Sequence, residues 1–160
     1  MKNIIYKAIQ SFVILISIVL LSGCSSNTVF ESYHKFENLN WNRFNNQKFE
    51  FTVENIDVEY DVYLSIRHIP EIPYKEMRIN YTIYTPLGDM RSNNLTMKLY
   101  DNEKNKLSKC LGDYCDFVYP IRKGLSFSEA GKVRIKIENK YTKVDMSGIM
   151  EVGLIVKKSE

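Results

Sequence analysis

The residues with the plainest chemistry stand near the start of the chain. Leu21-Ser22-Gly23-Cys24 puts a large aliphatic residue three places before a cysteine and two small residues directly ahead of it. A thiol in that setting takes a diacylglycerol group at a membrane surface, and the small residues admit the peptidase that cuts before Cys24. Upstream lie two cations, Lys2 and Lys7, and an apolar run from Phe12 to Leu21 broken only by Ser17. A basic segment followed by a short apolar one is the pattern of a secretory signal peptide. The run is shorter than the roughly 20 residues that a membrane-crossing helix needs. Residues 1–23 are therefore expected to be removed, and Cys24 to carry acyl chains, palmitate included, that hold the mature protein on a bilayer.

Two further cysteines, Cys110 and Cys115, frame Cys110-Leu111-Gly112-Asp113-Tyr114-Cys115. In an exported protein the pair can oxidise to a disulfide, since Gly112-Asp113 can turn the chain between them. Two free thiols and half of a metal site are the other readings. A zinc site would need ligands that this spacing and the scarcity of histidine do not supply.

The usual signatures of catalysis are missing. Only His34 and His68 are available as bases, and there is no glycine-rich phosphate loop, no Gly-x-Ser-x-Gly elbow and no His-Glu-x-x-His pair. The acidic series Glu54, Asp57, Glu59 and Asp61 has the oxygens that calcium takes, but the interleaved Ile56, Val58 and Tyr60 make it read as one face of a strand and its turn. Trp41, eleven tyrosines and eight phenylalanines could stack on sugar rings, yet in a small β-domain such residues more often fill the core and cross-strand positions. Asn80-Tyr81-Thr82 and Asn94-Leu95-Thr96 match a glycosylation sequon, which carries no weight in a bacterial lipoprotein. No catalytic residue, metal set or cofactor is expected, and no small-molecule ligand.

Removing 23 of 160 residues leaves 137, enough for one core. It also removes Lys2 and Lys7, so 22 basic residues become 20 against 19 acidic ones, a net charge of +1. That balance gives no reason to expect nucleic acid as a partner.

The elements that position these groups are strands. Residues 24–40 are polar, lack a sustained period, and read as the lipidated N-terminus and its tether. From 41 to 160 the signal is alternation: Phe49, Phe51, Val53; Val62, Leu64, Ile66; Met77, Ile79, Tyr81, Ile83; Leu95, Met97, Leu99; Phe117 and Tyr119; Val133, Ile135, Ile137; and a final run from Ile149 to Val156. Turn signals such as Thr85-Pro86-Leu87-Gly88-Asp89 separate them. The expectation is a single all-β domain, an antiparallel β-sandwich of jelly-roll-like type, with one short helix over 125–130.

Several separated segments together resemble the gliding-motility lipoproteins of the GldH type found in Bacteroidetes. They are the box at Cys24; Trp41 followed by Phe49 and Phe51; Tyr63-Leu64-Ser65-Ile66-Arg67-His68 with Tyr74; Pro86-Leu87-Gly88; Leu111-Gly112; Ala130-Gly131-Lys132; and Gly148-Ile149-Met150-Glu151-Val152-Gly153-Leu154. The family usually has a tryptophan before the middle Leu-Gly, where this chain has Cys110, so a local disulfide would stand in for an aromatic contact. The resemblance implies a non-enzymatic accessory lipoprotein, acting with envelope proteins of the gliding and type IX secretion machinery, perched on the outer membrane and facing the periplasm. Ser25 is not the aspartate associated with inner-membrane retention, and no surface-export signal follows it. The alternative is a glycan- or ligand-binding periplasmic lipoprotein of a non-gliding bacterium. Partner docking would use an added edge strand or an aromatic patch.

Overall fold

The computed structural model describes residues 27–159. Cys24 and the signal segment lie outside the described residues. The described residues form eleven strands: β1 (Thr28–Lys35), β2 (Asn40–Asn42), β3 (Gln47–Val53), β4 (Tyr60–His68), β5 (Glu76–Tyr84), β6 (Met90–Lys98), β7 (Lys109–Leu111), β8 (Tyr114–Leu125), β9 (Gly131–Asn139), β10 (Asp145–Ser147) and β11 (Ile149–Lys158). They make a five-stranded sheet in the order β1-β11-β4-β8-β7 and a four-stranded sheet in the order β3-β9-β5-β6, with β2 and β10 paired at one end. Every pairing is antiparallel. The expected all-β sandwich is the fold that is found.

Alternation in the sequence becomes the two inner faces. Val62, Leu64 and Ile66 of β4 and Val152, Leu154 and Val156 of β11 lie inward from one sheet. Phe49, Phe51 and Val53, Met77 to Ile83, and Val133 to Ile137 meet them from the other, all in one core. Strand side chains alternate faces with a period of two, so each apolar set points inward and its polar neighbours point the other way, where Ser65 and Thr82 are nonetheless buried.

Two boundaries differ from the sequence reading. Residues 28–35, assigned to the tether, are β1, paired with β11 along its length. Phe36, also in that stretch, is buried and stacks on Trp41 at 6.1 Å between ring centroids. The folded domain thus begins at Thr28 and not at Trp41. The strand hides its period because two of its inward places hold Thr28 and Ser32, beside Phe30. The helix over 125–130 is also absent. Leu125 pairs with Tyr60, and Phe127 is buried edge-on against the Tyr60 ring at 5.9 Å, while Ser126 and Ser128 face solvent. That is period two, not 3.6.

Strand directions give the sandwich two ends. Asn27 lies at one of them, where the Lys158 N–H donates to its carbonyl at 2.8 Å. Lys158 pairs with Tyr60, and β3 ends at Val53 opposite Gly131, which starts β9. The Thr85–Asp89 turn therefore sits at the Asn27 end, and β6 runs away from it, in the same direction as β1.

Candidate interaction surface

The groups that the sequence offers for chemistry are dispersed. His34 is at the outer end of β1, where its Nε2–H donates to the Lys48 carbonyl at 3.2 Å and its ring lies 4.9 Å from that of Phe49. His68 ends β4 and is 2% exposed. Its Nδ1–H donates to the Ile69 carbonyl at 2.7 Å, which leaves Nε2 as a buried acceptor with no hydrogen-bond partner. Burial lowers its pKa below the ordinary histidine value. The two rings sit in different places, and neither hydrogen-bonds a carboxylate, so they do not form a base and its orienting acid.

The acidic series also separates. Asp61 accepts from the Gly124 N–H at 3.0 Å, the Ser159 hydroxyl at 2.7 Å and the Tyr63 hydroxyl at 3.2 Å, and these bonds hold its carboxyl below the usual range. It lines a depression at the Asn27 end together with Glu59, Lys123, Lys157 and Ser159. Among the described residues no group of three or more histidine, cysteine or acidic side chains is placed to hold a metal ion.

Cys110 and Cys115 are paired directly across the β7–β8 hairpin and are joined by a disulfide, with Cα atoms 3.9 Å apart. Gly112 takes a φ of 59°, and it is the first central residue of the two-residue turn between Leu111 and Tyr114, where a type II′ turn needs a positive φ. Next to this hairpin Arg67 grips Asp116 with both ends of its guanidinium, at 2.7 and 2.9 Å, and lies 4.3 Å from the centre of the Tyr114 ring. The pair fastens β4 to β8.

A sugar platform built on Trp41 is ruled out by its burial. The indole is 0% exposed and its Nε1–H donates to the Asn45 carbonyl at 3.0 Å. Tyr60, Tyr74 and Tyr81 are buried as well. These aromatics fill the core.

What the fold does present is a set of four sheet edges treated in different ways. β1 carries an irregularity between Thr28 and Phe30. It also closes over β3, through Phe30 against Phe51 at 5.6 Å and through His34 against Phe49 and Lys48. β7 is three residues long. Short strands, irregularities and coverage are the ordinary means of blunting an edge. β6 has none of them. It is nine residues long, pairs with β5 in unbroken register, and has no strand on its other side among the described residues.

The register fixes which of its backbone groups are open. The Thr85 N–H donates to the Asp89 carbonyl at 2.9 Å at one end of the β5–β6 hairpin, and the Leu99 N–H to the Lys75 carbonyl at 3.0 Å at the other. Antiparallel pairs alternate between bonded and non-bonded positions. Arg91, Asn93, Leu95 and Met97 therefore bond to β5, and Met90, Ser92, Asn94, Thr96 and Lys98 aim their N–H and C=O groups outward. On the outer face, Asn80 donates to Asn94 at 3.0 Å and Thr82 to Ser92 at 3.1 Å, which pins the strand to the sheet. The two asparagines of the sequon matches are thus cross-strand partners.

The model of the GldH lipoprotein family matches residues 28–156 of this chain. The chain belongs to that family. A protein described as a gliding motility lipoprotein GldH homolog, from Christiangramia forsetii, is 24% identical to it over 163 residues, covering 96% of this chain and 98% of that protein. Among solved structures, a carbohydrate-binding module specific for non-crystalline cellulose, CBM28, overlaps 81% of this chain and 73% of its own at 9% identity and a TM-score of 0.45. Dimeric latent PorU from Porphyromonas gingivalis overlaps 86% of this chain and 14% of its own at 11% identity and a TM-score of 0.31. At those scores the overlaps carry no argument about this GldH chain, whose fold stands on its own sheets.

The segments behind the GldH resemblance turn out to be those that hold the sandwich together. A side chain on Gly153 would meet the Tyr33 ring at 2.1 Å. Gly131, with a φ of 142°, lies against Pro86 of the Pro86-Leu87-Gly88 turn, so two of the segments touch. The Tyr74 hydroxyl donates to the Ser147 carbonyl at 2.9 Å, one residue before Gly148. β6, by contrast, belongs to none of them. Sequence reasoning found Leu95 and Met97 and missed the strand's open side, because Ser92-Asn93-Asn94 alternates nothing and an edge is a property of pairing.

Proposed function

We propose that this GldH lipoprotein is cut before Cys24, acylated on that thiol, held on the periplasmic face of the outer membrane, and works there without catalysis as a docking component of the gliding and type IX secretion machinery. The observation that carries this reading is the position of the folded body. The first described residue, Asn27, is three residues after Cys24 and is bonded to the end of β11. Three residues reach about 10 Å at most, so a lipid on Cys24 sets the Asn27 end of the sandwich at the bilayer and points the strands away from it. Acyl chains contribute about 0.8 kcal/mol for each buried CH₂, and several together make a firm anchor. The name of the Christiangramia forsetii relative supports the motility part of the reading.

Three measurements test it. Labelling with a clickable palmitate analogue should mark the wild-type chain and not Cys24→Ser. Deletion of the gene should impair spreading or secretion. Affinity purification of the tagged, lipidated protein from its own envelope should recover components of that machinery; recovery of glycan without protein partners would sink the proposal.

A further inference from the structure

We infer that β6 is the docking edge, and that it binds an extended segment of a second envelope protein as an added antiparallel strand. The inference rests on the docking role proposed above and names its surface. Ser92, Asn94 and Thr96 each direct one donor and one acceptor to the open side, so the edge is a template for another backbone and for nothing smaller. The face behind it is already pinned by the Asn80, Thr82 and Ser92 hydrogen bonds, so the strand is held ready before the partner arrives. Preorganisation of this kind lowers the ordering cost of binding.

The chemistry of the strand selects the partner. β6 carries Arg91 and Lys98, near its two ends, and no carboxylate of its own. The matching segment is uncharged at its centre, acidic towards its ends, and has an apolar side chain to cover the half-buried Leu95. A second copy of this chain fits less well. Two β6 strands paired antiparallel would bring four cations and no acid to the new ladder. They would also set the two Asn27 ends at opposite ends of the joined sheet, because β6 and β1 run the same way.

The experiment uses the full lipidated protein in its native envelope, with a photoreactive benzoylphenylalanine in place of the exposed Met90, which leaves the Asn80, Thr82 and Ser92 bonds intact. Irradiation should give an adduct whose linked peptide maps to one extended, uncharged-to-acidic segment of another envelope protein. Asn94→Pro removes one outward N–H without touching the β5–β6 ladder, and proline is tolerated on an edge of this kind. It should cut the adduct at least about tenfold, since a ladder position is lost and its approach blocked. Asn94→Ala keeps the N–H and loses only the side-chain bond to Asn80, so it should weaken the adduct far less than Asn94→Pro does. Thr96→Pro is the second variant, read in place of Asn94→Pro if that chain melts more than about 3 °C below wild type. An adduct that survives both prolines, or one with the mass of two copies of this chain, overturns the inference. Absence of any adduct at Met90 while affinity purification still recovers envelope partners overturns it as well and leaves the docking role standing. Failure to recover partners with the wild-type chain removes the role and the inference with it.

Discussion

The two long margins of the sandwich are built in opposite ways. At one, β1 folds over β3, Phe30 meets Phe51, and His34 covers a carbonyl of the edge. At the other, β6 keeps a row of backbone groups uncovered and is tied to β5 by the Asn80–Asn94 and Thr82–Ser92 hydrogen bonds. The closed margin is stabilised by apolar burial, which is large and undirected. The open margin is stabilised by local ties that leave an edge free. Stability and recognition are thus assigned to different sides of one small domain.

The largest expected effect breaks the closed side. Phe51→Ala deletes a buried ring and its contact with Phe30, and should lower the unfolding free energy by about 3–5 kcal/mol in urea titrations. A loss under 1 kcal/mol would mean that β1 does not clasp the core. Replacing Cys110 and Cys115 together by serine tests a local tie of the five-stranded sheet, the β7–β8 hairpin. Freeing so short a loop should cost about 2 kcal/mol and shift thermal melting of the oxidised protein, with no further shift on adding reductant.

The next effect is a pH dependence. His68 binds its proton less readily in the folded chain than in the unfolded one. Stability is therefore complete above the unfolded value near 6.5 and falls as pH drops towards the lower folded value, because the unfolded chain takes up the proton first. His68→Leu should flatten the urea midpoint between pH 7.5 and 5.5; an unchanged slope would place the titration elsewhere. The smallest effect belongs to Glu50 and Lys132, an exposed ion pair on the β3–β9 face at 3.0 Å. Lys132→Ala should cost less than about 1 kcal/mol, with 0.5 M salt removing what there is.

How far the sequence reaches follows the same division. The inner faces were legible wherever burial on one side and water on the other forces alternation, as in Val62-Leu64-Ile66 or Val133-Ile135-Ile137. β1 was not, because Thr28 and Ser32 take two of its inward places beside Phe30. The Leu125 to Ala130 segment failed as a helix because Leu125 and Phe127 stand two apart, which is the strand period, and six residues are too few to show a 3.6-residue one. Trp41 gave no hint of its place, since a tryptophan reads alike on a sugar platform and in a core. Arg67 and Asp116 are 49 residues apart and meet only through the β4–β8 register. The open row on β6 depends on which strand pairs with it and which does not, and that is settled by the whole sheet order.

The start of β1 beside the end of β11 has a mechanical consequence. A pull on the chain at Asn27, away from the body, acts along β1, while the ladder to β11 lies across that direction. The bonds between these two strands then resist together, in shear, and none can be peeled open ahead of the rest. A domain held at this point takes load along its terminal strand and not at the strand's end.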